Sequence, residues 1–405
     1  MSVSQKSKLL IPKILDHNTN VHRIRIGKLA MFNHVRIQTL SKQSRSNFCK
    51  LLSDATANPC CIALGAGASA SVGLPTWYTL LNRISYCYFY QWAFDIAHNK
   101  ALFNKPPSDM SVAMVEAYDV YLLEKQHPEI AEMMERAFDN AEHWHNGTKL
   151  PEKIAQQKNQ QMKDSSTLIH QLQDSFMDKV MSGDLTVIAQ MIKNQIRPSD
   201  WDYLIRKALY KSYKDDPFIL EISPLYKQLM RFVEQKGVNS ILNYNYDDTF
   251  YHALQLSGIR FENCYNNSNI SAHKKIVYPH GYIPMKGGIR TEIVLTESDY
   301  QNQIYQQNLW SNNIQTSILS ANTCIFVGLS LNDSNIRRLI NMCSGAKQYM
   351  HYAFLPASGQ DEASTMYDSL CDSDLYRLGI RVVRYPAQNG HEMLTELFSL
   401  LCDHL

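Results

Sequence analysis

The 405 residues carry 40 Lys and Arg against 38 Asp and Glu, a net charge of +2, so bulk charge announces no nucleic-acid partner. No apolar run is long enough to span a bilayer, and Pro12 and Lys13 end the short stretch Leu9-Leu10-Ile11 well before signal-sequence length. Nine cysteines, at 49, 60, 61, 87, 264, 324, 343, 371 and 402, form no C-x-x-C pair. That argues against a cysteine zinc site and for reduced thiols in a cytoplasmic protein.

Residues 1–57 read as a basic N-terminal arm followed by a helix. From Met1 to Ser53 there are ten Lys and Arg and one acid, Asp16. Two readings stand: a solvated extension, or an arm that docks a partner, nucleic acid included. Leu40, Phe48, Leu51 and Leu52 fall at helical spacing in Leu40–Ala57, and Asn58-Pro59 ends that helix.

The apolar run Cys60–Leu64 predicts a buried strand. It enters Gly65-Ala66-Gly67-Ala68-Ser69-Ala70, and a second turn follows at Gly73-Leu74-Pro75. A glycine turn opening a helix can leave backbone N–H groups bare for a diphosphate; it is also an ordinary strand-to-helix connection. A dehydrogenase of the dinucleotide fold would carry an acid about 20 residues later for the ribose hydroxyls. No Asp or Glu occurs between Asp54 and Asp95, which argues against hydride transfer.

An aromatic-rich helix starts at Trp77. Between 99 and 217 strand-like runs vanish, and helical spacing dominates in Met110–Glu124, Ile130–Ala141, Ser166–Met181 and Trp201–Tyr213. His143-Trp144-His145 is better read as a solvent-side helix end than as a metal pair, and no metal site is expected. Strand candidates resume at Val238–Leu242, Lys275–Tyr278, Glu292–Leu295, Thr323–Val327, Tyr352–Leu355 and Arg381–Arg384. Helices are expected at Pro224–Gln235, Ser298–Ser320, Ser334–Met342, Glu362–Arg377 and His391–Leu401. The alternation predicts an α/β, Rossmann-like, doubly wound and mostly parallel sheet. Residues 58–98 and 218–405 would build it, with 99–217 as a large helical insertion.

Three strand ends carry candidate chemistry. The strand at Ser240 runs into Asn243, Asn245, Asp247 and Asp248, which suit a ligand at a strand C-terminus or a helix cap by Asp247 or Asp248. His280 beside Gly281 can reach a ligand as a general base, or be a hydrogen-bonded structural residue. Gly328 and Ser330 follow a third strand, where they can cradle phosphate or ribose or form a turn capped by Asn332 or Asp333.

Taken in order, these motifs resemble the sirtuin-like superfamily, and within it the bacterial sirtuin-like NADase branch of anti-phage defence. Gly65-Ala66-Gly67-Ala68-Ser69 with Gly73-Leu74-Pro75-Thr76-Trp77 is similar to that family's G-A-G-x-S and G-[IL]-P motifs. Asn245-Tyr246-Asp247-Asp248, His280-Gly281, Ile293-Val294-Leu295-Thr296 with Asp299-Tyr300, and Phe326 through Asp333 match its later elements. The resemblance covers about Cys60–Tyr90 and Val238 onward. The two C-x-x-C pairs of protein-deacetylating sirtuins are missing, and Thr76-Trp77 replaces their Asp and aromatic-Arg, so no zinc and no deacetylation are expected.

The resemblance implies an NAD glycohydrolase that cleaves NAD, its substrate, to nicotinamide and ADP-ribose. It implies Asn245 and His280 as catalytic residues, with His280 as the base. Gly65, Ala66, Gly67, Ser69, Pro75, Thr76, Asp247, Gly328 and Ser330 would hold the dinucleotide. It further implies a homo-oligomer and a separate activating protein such as a HerA-type ATPase. The competing classes are a non-catalytic NAD or ADP-ribose sensor or scaffold, and an ADP-ribosyl transferase or deacylase.

Overall fold

The computed structural model describes residues 35–85, 88, 175–180, 182–196, 198–210, 222–288, 291–306, 309–344, 349–387 and 391–405. The basic arm, the helices expected at Met110–Glu124 and Ile130–Ala141, and His143-Trp144-His145 lie outside the described residues. Seven strands form one sheet: β1 (Cys60–Leu64), β2 (Ser240–Asn243), β3 (Glu262–Cys264), β4 (Lys275–Val277), β5 (Thr323–Val327), β6 (His351–Pro356) and β7 (Ile380–Tyr385). Their order is β3-β4-β2-β1-β5-β6-β7, and every pairing is parallel.

A parallel sheet must be covered on both faces, and strand alternation divides the apolar residues accordingly. From β1, Ile62 and Leu64 enter one core with Phe48 of α1 (Lys42–Ala57), Phe232 of α5 (Pro224–Gln235), Phe250 of α6 (Thr249–Leu256) and Phe398 of α11 (Glu392–Asp403). Cys61 and Ala63 enter the other. There they meet Ile314 and Ile318 of α8 (Trp310–Ala321), Ile336 of α9 (Ser334–Ser344) and Leu375 of α10 (Glu362–Arg377). The helices begin where side chains satisfy their first N–H groups. Ser41 caps α1, Ser223 caps α5 with Pro224 in its first turn, and Asp361 caps α10.

A third apolar core unites parts far apart in sequence. Leu74, Leu80 and Ile84 meet Ala189 and Ile192 of α3 (Leu185–Lys193), and Trp201 and Ile205 of α4 (Pro198–Tyr210), together with Tyr246, Ile283, Ile293 and Leu295. Two strand expectations are corrected here. Glu292–Leu295 is not a strand: Val294 N–H donates to the His280 carbonyl at 2.9 Å, and the segment's apolar residues serve this third core instead of the sheet. The short edge strand β3 has no apolar run to announce it. The helix expected over Ser298–Ser320 is two helices, α7 (Glu297–Tyr305) and α8.

Two connections are welded where the chain crosses from one half of the sheet to the other, at the β1–β5 boundary. Gly65 N–H donates to the Val327 carbonyl at 2.9 Å, and Gly67 N–H to the Gly328 carbonyl at 3.0 Å. A Cβ on Gly328 would lie 2.2 Å from Ala68 N and 2.7 Å from the Gly67 carbonyl carbon, and its φ is +68°. The turn after β1 (leading into α2, Ala66–Ala70) and the turn after β5 therefore touch backbone to backbone.

Two predictions follow from this packing. Gly328→Ala lowers stability by on the order of 3 kcal/mol, from roughly 1–2 for left-handed backbone and roughly 1–3 for overpacking. Gly73→Ala, at φ +87° with nothing within 4 Å, carries only the first cost; urea melts of both variants isolate the second. The other concerns His351, 5% exposed, whose Nδ1 accepts the Cys324 N–H at 3.2 Å. Burial pushes its pKa down from 6.5 to about 4. The unfolded chain then binds a proton that the folded chain refuses, so this contribution is complete above pH 6.5 and is lost as pH falls toward 4, by about 3 kcal/mol in all. His351→Asn, which keeps an acceptor, flattens that acid slope in urea melts between pH 7 and pH 4.5.

Candidate functional site

The parallel register sets strand ends side by side. Leu64 pairs with both Asn243 and Val327, and Leu242 pairs with Val277. Gly65, Asn245, His280 and Gly328 therefore all follow the C-terminal ends of adjacent strands, where open α/β sheets bind ligands.

Asn245 is the tie between two of these ends. Its side-chain NH2 donates to the Gly65 carbonyl at 2.9 Å and to Ser69 Oγ at 2.8 Å, and its own backbone N–H donates to Asn243 Oδ1 at 3.1 Å. Ser69 is buried, and its hydroxyl also lies 3.4 Å from the Tyr226 hydroxyl. The bare N–H groups expected of the glycine turn are partly spent, since Gly65, Gly67 and Ala68 all donate within the weld. Gly67 and Ser330 are exposed, and Ala66 is half-buried.

Asp247 is buried, and its carboxylate accepts from Thr249 N–H at 3.0 Å and from the Thr249 hydroxyl, capping α6. Burial pushes its pKa up, against the hydrogen bonds from Thr249 and Ser69. Pro75 is buried, and Thr76 Oγ1 accepts the Thr79 N–H at 3.3 Å at the start of the helix over 77–85. Among the described residues no hydrogen bond joins Pro75, Thr76 or Ser330 to the other candidates; Ser330 Oγ accepts the Asn332 N–H at 3.4 Å.

His280 is buried at the end of β4. Gly281, at φ +105°, turns the chain directly behind it, and a Cβ there would meet the Glu292 carbonyl oxygen at 2.6 Å. The preceding Pro279 carbonyl is held by Gln303 Nε2 at 2.7 Å, and Gln303 Oε1 in turn accepts from Asn335 Nδ2 at 3.1 Å. The ring meets Tyr244 and Tyr300 edge-on, with centroids 5.2 and 5.6 Å away. His280 Nε2 lies 3.3 Å from Asp333 Oδ2, yet neither atom has an aligned hydrogen bond. Burial pushes the His280 pKa below 6.5, while the Asp333 charge and a backbone hydrogen bond with Tyr244 act the other way.

Two carboxylates have more work here than their sequence context indicated. Asp333 caps α9 through Oδ1, which accepts the Ile336 N–H at 2.9 Å, and turns Oδ2 to His280. Asp248 accepts from Tyr210 Oη at 3.3 Å, Tyr282 Oη at 3.2 Å, Met285 N–H at 3.0 Å and His252 Nε2 at 3.1 Å. Local motifs signal a cap at both positions, and at Asp248 also a ligand at the strand end, but not these partners, most of which are distant in sequence. Among the described residues no group of three or more His, Cys, Asp and Glu could hold a metal ion, and no helix is long and apolar enough to cross a membrane.

The site thus sets a buried imidazole beside a carboxylate, at the same end of the sheet as a glycine turn pinned by an amide. That arrangement can accept a proton and seat a polar ligand over the strand ends. No curated protein matches the chain. The family model described as SIR2-like domain matches residues 239–371, a span that holds Asn245, Asp247, His280, Gly328, Ser330 and Asp333 and to which Asn245 joins the Gly65 turn. Over that span the chain is similar to SIR2-like domains, which bind NAD and form a family of NAD-dependent enzymes.

Proposed function

We propose that the chain is an NAD glycohydrolase. The observation that carries this reading is that Asn245, hydrogen-bonded to the Gly65 turn, and the buried His280 follow the ends of the neighbouring strands β2 and β4. Nicotinamide leaves NAD as a neutral molecule from a pyridinium, so the leaving group needs no general acid. The C1′–N bond breaks with its electron pair going to nicotinamide, and positive charge develops on the ribose. Water supplies the oxygen that bonds C1′, and its proton passes to His280. No pair of glycosidase-type carboxylates is required.

Asn245 orients the ribose or the water, and the turn at Ala66 and Gly67 faces the diphosphate. The setting we read is bacterial anti-phage defence in the cytoplasm, where NAD depletion halts the infected cell. Activation comes through self-assembly or a separate protein of the HerA ATPase kind. The motif order of the sequence supports that setting.

The chain incubated with NAD, with and without candidate activators, should release nicotinamide and free ADP-ribose, followed by chromatography. Intact NAD with measurable binding instead favours a sensor, and label transferred to protein favours a transferase. His280→Ala lowers the rate by roughly 10²–10⁴-fold while the protein stays folded. Asn245→Ala abolishes turnover and also loses about 1–3 kcal/mol of stability, because its two hydrogen bonds to Gly65 and Ser69 go with it.

The pH profile gives a separate check. A base must be neutral to accept a proton, and His280 is held below the ordinary 6.5 by burial. The acid limb of kcat/KM therefore has its midpoint below pH 6.5, with a plateau above it. A limb centred above 6.5 excludes His280 as the base.

A further inference from the structure

We propose that Asp333 is the positioning residue of His280, holding the imidazole in place and stabilising the imidazolium formed when the ring takes its proton. This rests on His280 being the base of the proposed hydrolysis. The carboxylate is fixed from behind: Oδ1 accepts the Ile336 N–H at 2.9 Å in the first turn of α9, and the Asp333 carbonyl accepts the Arg337 N–H at 3.0 Å. Oδ2 is left facing His280 Nε2 at 3.3 Å, with the two side chains 14% and 7% exposed.

The proton inventory makes this contact unusual. The ring has a backbone hydrogen bond with Tyr244; because Nε2 makes no aligned bond and a carbonyl can only accept, the neutral ring is assigned its hydrogen on Nδ1. Nε2 then presents a lone pair to a carboxylate oxygen, and the neutral ring gives that oxygen no donor. Neither atom has an aligned hydrogen bond, and the Tyr300 hydroxyl is the neighbouring donor to the Asp333 carboxylate. The proton that Nε2 takes up is the one the reaction delivers. It leaves the attacking water, whose oxygen keeps the electron pair and bonds C1′, and settles on Nε2 beside the carboxylate.

An imidazolium sets its positive charge 3.3 Å from the carboxylate, an attraction the neutral ring lacks, so the pair favours the state reached during reaction over the resting state. Misalignment also matters: Oδ2 sits beside Nε2 and off its hydrogen-bond axis, which leaves that axis to the substrate proton. Among the described residues, the groups facing the ring are Tyr244 from the turn after β2, Tyr300 from α7, and Asp333 from the turn after β5. Both phenols are pushed well above 10, first by burial, and stay neutral across the pH range in question. Asp333 is therefore the charge that tunes this ring.

The test is Asp333→Asn in the full chain, because Asn keeps an oxygen to cap α9 and loses only the charge. Steady-state kinetics with NAD should show kcat lowered about 10-fold or more with KM nearly unchanged. The acid limb of kcat/KM, and the His280 titration read by NMR on histidine-labelled protein, should both move about one pH unit lower. Asp333→Ala, which also removes the cap, should share these shifts and in addition lose thermal stability. An unmoved His280 titration in Asp333→Asn overturns the proposal, even if kcat falls, since a cap alone cannot move that pKa. If the wild-type chain cleaves no NAD while the titration still shifts, the pairing stands and the hydrolase reading alone fails.

Discussion

The rest of the structure depends on a contact that contains no side chain. At the boundary of β1 and β5, Gly65, Gly67 and Gly328 bring two strand-to-helix turns together so closely that a Cβ on any of the three would meet backbone within 3.0 Å. One turn leads into α2 and the buried hydroxyl of Ser69; the other leads on to Asp333. Because the turns share hydrogen bonds, neither moves without the other. Farther along the turn after β5, Leu331 is a non-glycine residue at φ +59°. Its side chain is 1% exposed in the second core, and burial holds a backbone conformation that leucine rarely adopts.

This weld also explains what was legible in the sequence and what was not. The fold was readable because β1, β5, β6 and β7 are apolar runs separated by helical spacing, and that pattern reflects burial on both faces. The glycines were readable as a turn, but their purpose was not: the same letters serve a ligand's approach or another backbone's approach, and here Gly65 and Gly328 visibly serve the second. Glu292–Leu295 misled because an apolar run reports burial and not pairing. Glu262–Cys264 escaped notice because an edge strand needs little apolar surface. Asp247 and Asp333 read locally as caps, and caps they are. What could not be read was the second oxygen of Asp333, since His280 lies on a different strand and only the sheet order makes them neighbours.

The helices at 185–193 and 198–210 are part of the same argument. Arg206 on α4 donates to the Pro284 carbonyl at 2.7 Å and also reaches the Met285 and Gly287 carbonyls. Tyr210 on the same helix donates to the Ile283 carbonyl and to Asp248. Lys193 on α3 pairs with Asp299, the capping-box acid of α7, at 3.1 Å. The chain just after His280 is thus gripped by side chains from the helical segment, and α7, which carries Tyr300, is gripped as well. Asp248 is the hub: burying a carboxylate is costly unless its lone pairs are filled, and Tyr210, Tyr282, Met285 and His252 fill them. The hydrogen bond to Asp248 in turn raises the pKa of His252, against burial.

The two buried histidines differ in what opposes the burial of each ring. His351 sits inside the sheet with its Nδ1 satisfied by a backbone N–H, and desolvation alone pushes its pKa to about 4. A ring in that state is too weak a base to hold a proton near neutral pH, and it works as a packing residue with one hydrogen bond. His280 has the same low exposure, but a carboxylate stands 3.3 Å away and opposes the desolvation. The opposing effects keep the ring neutral at rest and able to become charged when a proton arrives. The difference between the histidines is one oxygen atom, supplied by the first residue of a helix cap and held in place by a weld of three glycines.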